Sequence, residues 1–240
     1  MTLTSDDPTV LVAGASGRTG REILDVLLDA DIRVRALTNT PENVETLELQ
    51  GAEEVLVGDL LVPEDARRAV EGVDAVVCAV GSKPGPGLLV GPLVDGEGTV
   101  NLVRAAEEAG VEHFALVTSI GVGDSRGGMP ALFRRFLNLF GIVDAKGEAE
   151  AALRASDLAY TVVRPGGLTG GRATDDLLVG EGGDTVSGSV PRADVARLLV
   201  AALFTPESEG RTFEVVSREG LRGDAEGVVE VDWQYPESKY

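Results

Sequence analysis

The chain has 240 residues and a mass of 25.0 kDa, which is the size of one globular domain or two very small ones. Its 21 basic and 40 acidic residues give a net charge of −19, which argues against nucleic acids and anionic membranes as partners. With a single cysteine and a single histidine, the chain can form neither an intramolecular disulfide nor a zinc site built on several thiolates or two histidines.

The composition and the amino terminus also bear on location. No apolar run reaches the roughly 18 residues that span a bilayer, and the first ten residues, MTLTSDDPTV, are acidic where a secretory signal is basic. We therefore expect a cytoplasmic protein. Only Lys83, Lys146 and Lys239 are lysines, and a surface rich in carboxylates but poor in lysine resembles that of proteins from extreme halophiles.

Short β-branched apolar runs alternate with helical patterns along the chain, which predicts βαβ units and a parallel sheet. The predicted strands are 9–13, 32–37, 54–57, 75–80, 113–119, 160–164 and 212–216, with a further candidate at 228–233. The predicted helices are 18–30, 43–50, 64–71, 96–109, 130–155 and 193–203. We expect one Rossmann-like, doubly wound α/β domain over residues 1–240. Its nucleotide-binding core is 1–165, and 166–240 form a small substrate-side part with an acidic tail.

Two long connections interrupt this alternation. Residues 81–92 and 166–190 are rich in glycine and show no periodicity, so both are predicted to be loops. Each follows the carboxyl end of a predicted strand, which is the edge where open α/β sheets bind ligands. We expect these loops to act as lids or as walls of a substrate site.

The first predicted strand runs directly into a glycine-rich turn, GASGRTG at 14–20, and then into a helix. Gly14 permits the tight turn, Gly17 lets a diphosphate approach the backbone, and Gly20 lets the helix pack closely on the strand. The helix amino terminus offers N–H groups to the diphosphate. This context favours dinucleotide binding over the alternative of an ordinary strand-to-helix turn.

The end of the second predicted strand bears on which dinucleotide binds. An NAD-specific protein places an acid there to hold the ribose 2′-hydroxyl, whereas residues 38–40 are Thr-Asn-Thr. Arg18, inside the glycine turn, is a candidate partner for a 2′-phosphate, with a solvated arginine as the alternative. NADP(H) is therefore favoured over NAD(H). Asp59 is a candidate partner of the adenine amino group or, alternatively, a cap for the helix near Pro63.

Taken together, these motifs resemble the atypical short-chain dehydrogenases/reductases, specifically the NmrA-like NAD(P)H-binding branch. The matching segments are 14–20, GDL at 58–60, 79–81, 94–121, the helix of Lys146 running into 160–168, and 192–196. The resemblance extends to about Val216 and implies a Rossmann sheet. The cofactor-binding residues expected from the turn and from this resemblance are Gly14, Ser16, Gly17, Arg18, Thr19, Gly20, Thr38, Asn39, Asp59, Leu60, Ala79, Val80, Gly81, Lys146, Pro165 and Gly166.

The resemblance also implies catalytic residues. In the parent superfamily a tyrosine protonates the carbonyl oxygen, a lysine four residues later holds the nicotinamide ribose, and a serine orients the substrate. Lys146 matches the lysine and Ser119 is the candidate serine, with a surface lysine and a strand-end hydroxyl as the alternatives. The tyrosine is missing, because Ile142 stands at its position and Tyr160 falls on a later predicted strand.

Other polar and aromatic residues have structural interpretations, and no metal site is expected. His113 begins the fifth predicted strand, and Cys78 lies inside the fourth and is expected to be buried. Arg192 and Asp194 open a predicted helix, and Arg164 is open to either role. Further structural expectations concern Trp233 and Tyr235, which would pack the tail on the body, and residues 133–140, which form either a core face or a docking surface.

These features predict an NAD(P)H-binding oxidoreductase, a monomer or a homodimer, acting on a small molecule. Without a protein proton donor, the acceptor is expected to be a quinone or a flavin, for which water supplies the proton. A non-catalytic NAD(P)H-binding sensor is the alternative. A nucleotide-sugar epimerase or dehydratase is disfavoured, because that chemistry relies on the absent tyrosine.

Overall fold

The computed structural model describes residues 3, 5, 7–82, 91–127 and 140–237, and the statements below concern these residues. Their strands are β1 Thr9–Ala13, β2 Arg33–Thr38, β3 Glu54–Val57, β4 Ala75–Cys78, β5 His113–Val117, β6 Ala159–Pro165, β7 Gly167–Thr169, β8 Leu177–Gly180, β9 Ser189–Pro191 and β10 Arg211–Ser217. Eight of them form one sheet in the order β3-β2-β1-β4-β5-β6-β10-β8. All neighbours in it are parallel except β8, which is antiparallel to β10, and β7 pairs with β9 separately.

Six helices connect these strands. They are α1 Arg18–Asp29, α2 Val44–Gln50, α3 Pro63–Val70, α4 Thr99–Ala109, α5 Ile142–Ala155 and α6 Arg192–Ala202. One turn of π-helix, Val94–Gly98, leads directly into α4. Within the described ranges no helix is long and apolar enough to cross a bilayer.

The sheet is covered on both faces, as a doubly wound fold requires. Along β1, Val10 and Val12 point into one core cluster, while Leu11 and Ala13 point into the other. Helices α1 and α6 complete the first cluster, and α3, α4 and α5 complete the second. The prediction of a single Rossmann-like α/β domain is confirmed.

Several predicted boundaries are wrong, and the differences matter for the site. Strand β4 ends at Cys78 and β5 at Val117, so the residues that follow them leave the sheet early at its carboxyl edge. The segment 166–190, predicted to be a loop, contains β7, β8 and the first two residues of β9. These strands have only three or four residues, which is too short to give a recognisable alternating pattern.

Two further predictions concern the ends of elements. The candidate strand 228–233 is wrong: the tail forms an isolated bridge between Val228 and Gly180. Of the predicted helix 130–155, residues 142–155 are confirmed as α5, whereas 130–139, with most of the aromatic stretch 133–140, lie outside the described residues, as do residues 83–90 of the first long loop.

The tail packs back on the body, as expected. The Trp233 ring meets the buried Phe213 ring edge-on, with 5.3 Å between centroids, and the Arg197 guanidinium lies 5.4 Å from the centroid of Tyr235. The tail therefore covers the outer side of β8, where Val229 N–H donates to a strand carbonyl. Covering an edge strand in this way limits pairing with other chains.

Candidate functional site

The glycine turn between β1 and α1 has the geometry that its sequence predicts. Gly14 has φ +82°, and a Cβ on it would lie 2.9 Å from the Ala79 carbonyl oxygen. A Cβ on Gly20 would lie 2.2 Å from the Gly14 carbonyl oxygen. The first position therefore needs a left-handed backbone, and the last needs the absence of a side chain so that α1 packs against the turn.

The amino terminus of α1 is open to a ligand. Its N-cap residue is Gly17, which provides no capping side chain, and the first turn contains no acidic residue. The first N–H groups of a helix have no partner within the helix, so those of Arg18 and Thr19 are available to an anion. These features fit the diphosphate of a dinucleotide.

A cavity of about 360 Å³ opens beside this turn. It lies where the sheet order reverses direction, between β1 and β4, which is the crevice in which open α/β sheets bind ligands. The lining residues are Gly14, Ser16, Gly17, Leu37, Thr38, Asn39, Thr40, Gly58, Asp59, Leu60, Leu61, Ala79, Val80, Gly81, Ser82 and Val94. Most of the predicted cofactor residues therefore share one cavity.

The wall formed by the end of β2 is neutral. The Thr38 hydroxyl lies 3.0 Å from the Ser16 hydroxyl and accepts the Thr40 N–H at 3.2 Å. This buried threonine thus links the glycine turn to the end of β2. Hydroxyl and amide groups, rather than a carboxylate, face the cavity here.

Asp59 lines the same cavity but does not cap a helix. Its Oδ1 accepts the Leu61 N–H at 3.0 Å, while its own N–H donates to Asp65 at 2.8 Å. Helix α3 begins at Pro63, and its N-cap residue is Val62. The helix-cap alternative is wrong, because the carboxylate closes a turn just before the helix.

Lys146 is held by a carboxylate that the sequence analysis did not single out. Its Nζ lies 2.9 Å from Oδ1 of Asp95, and the other oxygen of Asp95 accepts the Ser82 N–H at 2.7 Å. Burial, the largest influence, would raise the pKa of Asp95, but the Lys146 ammonium and the hydrogen bonds from Ser82 together outweigh it and leave this pKa below its ordinary value. The surface-lysine alternative is wrong, because only 15% of the Lys146 side chain is exposed to solvent.

A close approach of two elements brings this pair together. Asp95 lies in the π-helical turn, and a Cβ on the next residue, Gly96, would lie 3.0 Å from the Cβ of Ala145 on α5. The glycine lets the turn approach the helix residue that precedes Lys146. Asp95 directly precedes Gly96 in the segment DGEG, and a glycine beside an acid just before a predicted helix is the signal that could have identified this aspartate.

The neighbouring Cys78 is inert. The side chain is fully buried, and burial raises the pKa of its thiol to about 11, so the reactive thiolate is not populated near neutral pH. The expectation of a small buried apolar residue is confirmed.

Arg164 has a structural role beneath the site. Its guanidinium donates to both oxygens of Glu150, at 3.0 and 2.7 Å, and pairs with Asp124. Glu150 also accepts the Thr118 hydroxyl at 2.6 Å. Burial, the largest influence, would raise the pKa of Glu150, but the Arg164 guanidinium and the hydrogen bonds from Thr118 and Arg154 together outweigh it and lower this pKa. The buried network joins β6, α5 and the segment after β5.

Ser119 and the segment after β6 lie at the same edge of the sheet. Ser119 is two residues beyond β5, and the next N–H, of Ile120, donates to the Pro165 carbonyl at 3.0 Å. A Cβ on Gly166 would lie 2.5 Å from the Gly188 carbonyl oxygen. The candidate serine and the Pro165–Gly166 segment are therefore brought together.

The described tyrosines lie elsewhere. Tyr160 is near the amino end of β6, the opposite end from the glycine turn, and Tyr235 lies on the tail against Arg197. His113, at the start of β5, is buried with its Nε2 3.1 Å from the Thr161 hydroxyl, which agrees with a structural role. Within the described ranges, none of these residues replaces the missing tyrosine.

The start of α6 supports the loops next to it. The buried carboxylate of Asp194 accepts the N–H groups of Thr174 at 2.9 Å and Asp175 at 3.0 Å. Nη1 of Arg192 donates to the Thr169 carbonyl at 2.8 Å. The structural roles expected for this arginine and aspartate are confirmed.

The sequence pattern of a family described as NAD(P)H-binding matches residues 14–206. This range begins at the first glycine of the turn and includes the cavity, the Lys146–Asp95 pair and the segment after β6. The chain belongs to this NAD(P)H-binding family.

Three relatives illustrate the range of the family. An uncharacterised chloroplast protein of Arabidopsis thaliana, At2g34460, is 38% identical over 87% of this chain and 76% of its own length. The uncharacterised sugar epimerase YhfK of Bacillus subtilis is 31% identical over 86% of this chain and 92% of its own. Sanguinarine reductase of Eschscholzia californica is 29% identical over 90% of this chain and 92% of its own.

Two solved structures are also similar. A candidate NAD-dependent epimerase/dehydratase from Bacillus halodurans has a TM-score of 0.76 and 32% identity, covering 91% of this chain and 96% of its own. ChuY, an anaerobilin reductase from Escherichia coli O157:H7, has a TM-score of 0.78 and 25% identity, covering 90% of this chain and 100% of its own. These names describe reductases and epimerases on one fold.

Proposed function

We propose that the protein is a reductase that uses NADPH to transfer hydride to a small acceptor with an electron-poor ring, of the quinone or flavin class. The observation that carries this proposal is the combination of a dinucleotide-type crevice with a lysine but no tyrosine at the matching helix position. Ile142 begins α5 one turn before Lys146 and has no proton to donate. An acceptor whose ring spreads the incoming charge does not need that donor.

The role of each residue in this proposal follows from the position of its side chain. The nicotinamide supplies hydride when bound. Lys146, fixed by Asp95, would hold the nicotinamide ribose, and Ser119 would orient the acceptor. The hydride adds to the acceptor ring, one proton comes from water, and the oxidised nicotinamide and the reduced acceptor leave.

The names of two relatives support a reductase. Sanguinarine reductase and the anaerobilin reductase ChuY are both named for reduction, and each aligns with about nine-tenths of this chain. The relatives named as epimerases support the alternative class. For this chain we disfavour that class, because epimerases of this superfamily depend on the tyrosine that Ile142 replaces.

A preference for NADPH over NADH is part of the proposal. No carboxylate stands at residues 38–40 at the end of β2 to hold a ribose 2′-hydroxyl or to repel a 2′-phosphate. The neutral wall of Thr38, Asn39 and Thr40 leaves room for the extra phosphate. Equal affinities for the two dinucleotides would contradict this preference.

The acidic composition supports a cytoplasm of high salt concentration as the setting. Concentrated salt screens the repulsion between carboxylates. Their strong hydration then keeps a chain of this charge in solution. We place the protein there as a monomer or a homodimer of halophilic type.

An acceptor screen tests the proposed function. NADPH oxidation would be followed in molar KCl with a quinone, with FMN and with a simple ketone, and NADPH affinity would be measured in the same buffer. Turnover with the quinone or with FMN supports the reductase. Tight NADPH binding without turnover of any of the three acceptors would instead support the second candidate, a non-catalytic sensor of the NmrA type.

A further inference from the structure

One buried carboxylate holds the residues that directly precede two parts of the proposed acceptor site. Glu150 lies on α5, and only 1% of its side chain is exposed to solvent. Its Oε1 accepts the Thr118 hydroxyl at 2.6 Å, and its two oxygens accept donors of Arg164 at 3.0 and 2.7 Å. Thr118 directly precedes Ser119, and Arg164 directly precedes the Pro165–Gly166 segment. One side chain of α5 therefore contacts the residue before each segment.

The same helix carries the lysine of the site. Lys146 and Glu150 are four residues apart on α5, so their side chains lie on the same side of the helix, on consecutive turns. Arg154, one turn further along, donates to Glu150 at 2.9 Å, so the carboxylate is also held from its own helix. Since a helix is rigid over one turn, the bonds of Glu150 also set the position of Lys146 relative to Ser119.

The segment after β5 remains attached to β6. The N–H of Thr118 donates to the Val163 carbonyl at 2.9 Å, and the N–H of Ile120 donates to the Pro165 carbonyl at 3.0 Å. Every second N–H of a strand points to the same parallel neighbour, so this spacing shows that residues 118–120 stay extended. Their side chains therefore alternate between the two faces of the sheet.

This alternation determines which way Ser119 faces. Leu116 belongs to the core cluster on the α5 face of the sheet, and Val117 belongs to the cluster on the opposite face. Thr118 returns to the α5 face, where it meets Glu150, so Ser119 faces the same side as Val117. That side is also the side of α1, which begins at the glycine turn.

We propose that Thr118 and Glu150 are positioning residues for the reduction, and that their hydrogen bond holds the Ser119 hydroxyl toward the acceptor at a fixed place relative to Lys146. This inference rests on the proposed function, because it presupposes an acceptor that Ser119 orients. Thr118 is only 6% exposed and its hydroxyl donates to Glu150, so its effect on the acceptor passes through Ser119. A hydrogen bond to a carboxylate is stronger than one between neutral groups, which suits it to this role.

Thr118→Val tests the proposal, because valine has nearly the shape of threonine but no hydroxyl. Glu150 keeps its two arginine partners in this variant, so α5 stays anchored and the fold should be preserved. A loosely held Ser119 should lower kcat/KM by about tenfold, since a displacement of about 1 Å can cost about 100-fold. The rates would be measured with menadione or with FMN, whichever wild type reduces faster. The NADPH dissociation constant, measured by nicotinamide fluorescence, should stay within about twofold of wild type.

Two further variants distinguish positioning from a general loss of stability. Thr118→Ser restores the hydroxyl and should return kcat/KM to within about twofold of wild type. Thr161→Val removes another buried hydroxyl, which donates to the Ser208 carbonyl at 3.0 Å near the amino end of β6. This control should lower the melting temperature without lowering kcat/KM. Circular dichroism and the melting temperature of each variant check that a lower rate does not report unfolding.

A double-mutant cycle decides whether Thr118 acts through Ser119. Ser119→Ala should itself lower kcat/KM, because the acceptor loses the group that orients it. In that background Thr118→Val should cause no further loss, since no hydroxyl is left to position. A merely structural role of Thr118 would instead give the same loss in both backgrounds.

Several results would overturn the proposal. Wild-type kcat/KM in a folded Thr118→Val or Ser119→Ala would do so, as would a loss of equal size in Thr161→Val or additive losses in the double variant. A fall in NADPH affinity as large as the fall in kcat/KM would place the effect on the cofactor instead. If wild type reduced neither menadione nor FMN, the proposed function itself would fail. Turnover by wild type together with any of the preceding results would overturn the positioning role alone.

Discussion

The Lys146 ammonium and the Asp95 carboxylate lie 2.9 Å apart, joining α5 to the π-helical turn before α4. The same carboxylate binds the Ser82 N–H at the wall of the cavity, so one aspartate fixes both the lysine and the segment after β4. Only 1% of the Asp95 side chain is exposed. This burial makes the pair sensitive to the loss of either partner.

Removing the lysine alone should destabilise the protein. Lys146→Met leaves a buried carboxylate without its cation, and breaking a buried pair typically costs about 3–5 kcal/mol. The double variant Lys146→Met/Asp95→Asn should regain most of that stability, because the amide carries no charge. Urea unfolding of the two variants and of wild type in molar KCl measures both effects. Equal stability of the single and double variants would show that the pair is solvated.

Replacing Lys146 should change how stability depends on pH. In wild type the pKa of Asp95 is below its ordinary value of 3.8, so the stability it contributes is present above that value and is lost as pH falls through the lowered pKa. In Lys146→Met only the Ser82 hydrogen bonds oppose burial, which is the largest influence on this pKa, so the pKa should rise and stability should decline as pH rises above about 4. Unfolding free energies between pH 4 and 7 decide this, and parallel profiles for the two proteins would contradict the assignment.

The glycine turn should not tolerate a side chain at its centre. A Cβ on Gly17 would lie 3.1 Å from the Gly14 carbonyl oxygen, and the larger valine would also extend into the path of the diphosphate. Gly17→Val should weaken NADPH binding by about tenfold or more, an estimate that corresponds to the loss of one charge-assisted contact.

The matched control for this substitution is Gly170→Val. Gly170 is exposed, and a Cβ there meets no atom within 4 Å, so this variant should bind NADPH as wild type does. Wild-type affinity in a folded Gly17→Val protein would show that the turn has only a structural role.

Local features of this fold can be predicted from the sequence, whereas contacts between distant segments cannot. The glycine turn, β1 and β3 follow from local patterns and have the predicted bounds. Asp95 does not, because one acid among 40 becomes significant only when α5, some 50 residues later in the chain, approaches its turn. The same holds for Arg164 and Glu150, whose pairing depends on how α5 packs against β6 rather than on a motif.

The acidic surface predicts a response to salt. Repulsion between carboxylates extends about 30 Å at 0.01 M salt and about 3 Å at 1 M, so the folded state of a chain with net charge −19 should gain stability as KCl is raised. The melting temperature is expected to rise continuously from low to molar KCl. A flat profile, with potassium sulfate as a second salt, would exclude the halophilic interpretation.

The role of Lys146 in binding rather than in proton transfer is a separate prediction. In the double variant Lys146→Met/Asp95→Asn, which preserves the fold if the stability prediction holds, KM for NADPH should rise with little change in kcat. Steady-state kinetics with a saturating quinone measure both constants. A large fall in kcat at saturating NADPH would instead indicate that the lysine acts on the reacting atoms.

Hydride transfer without a protein proton donor predicts a difference between two classes of acceptor. Initial rates of NADPH oxidation would be compared for wild type with a quinone and with a simple ketone, at equal concentrations in molar KCl. We expect measurable quinone reduction and little or no ketone reduction, because Ile142 provides no proton for the alkoxide that a ketone would form. Robust reduction of the ketone would contradict this account.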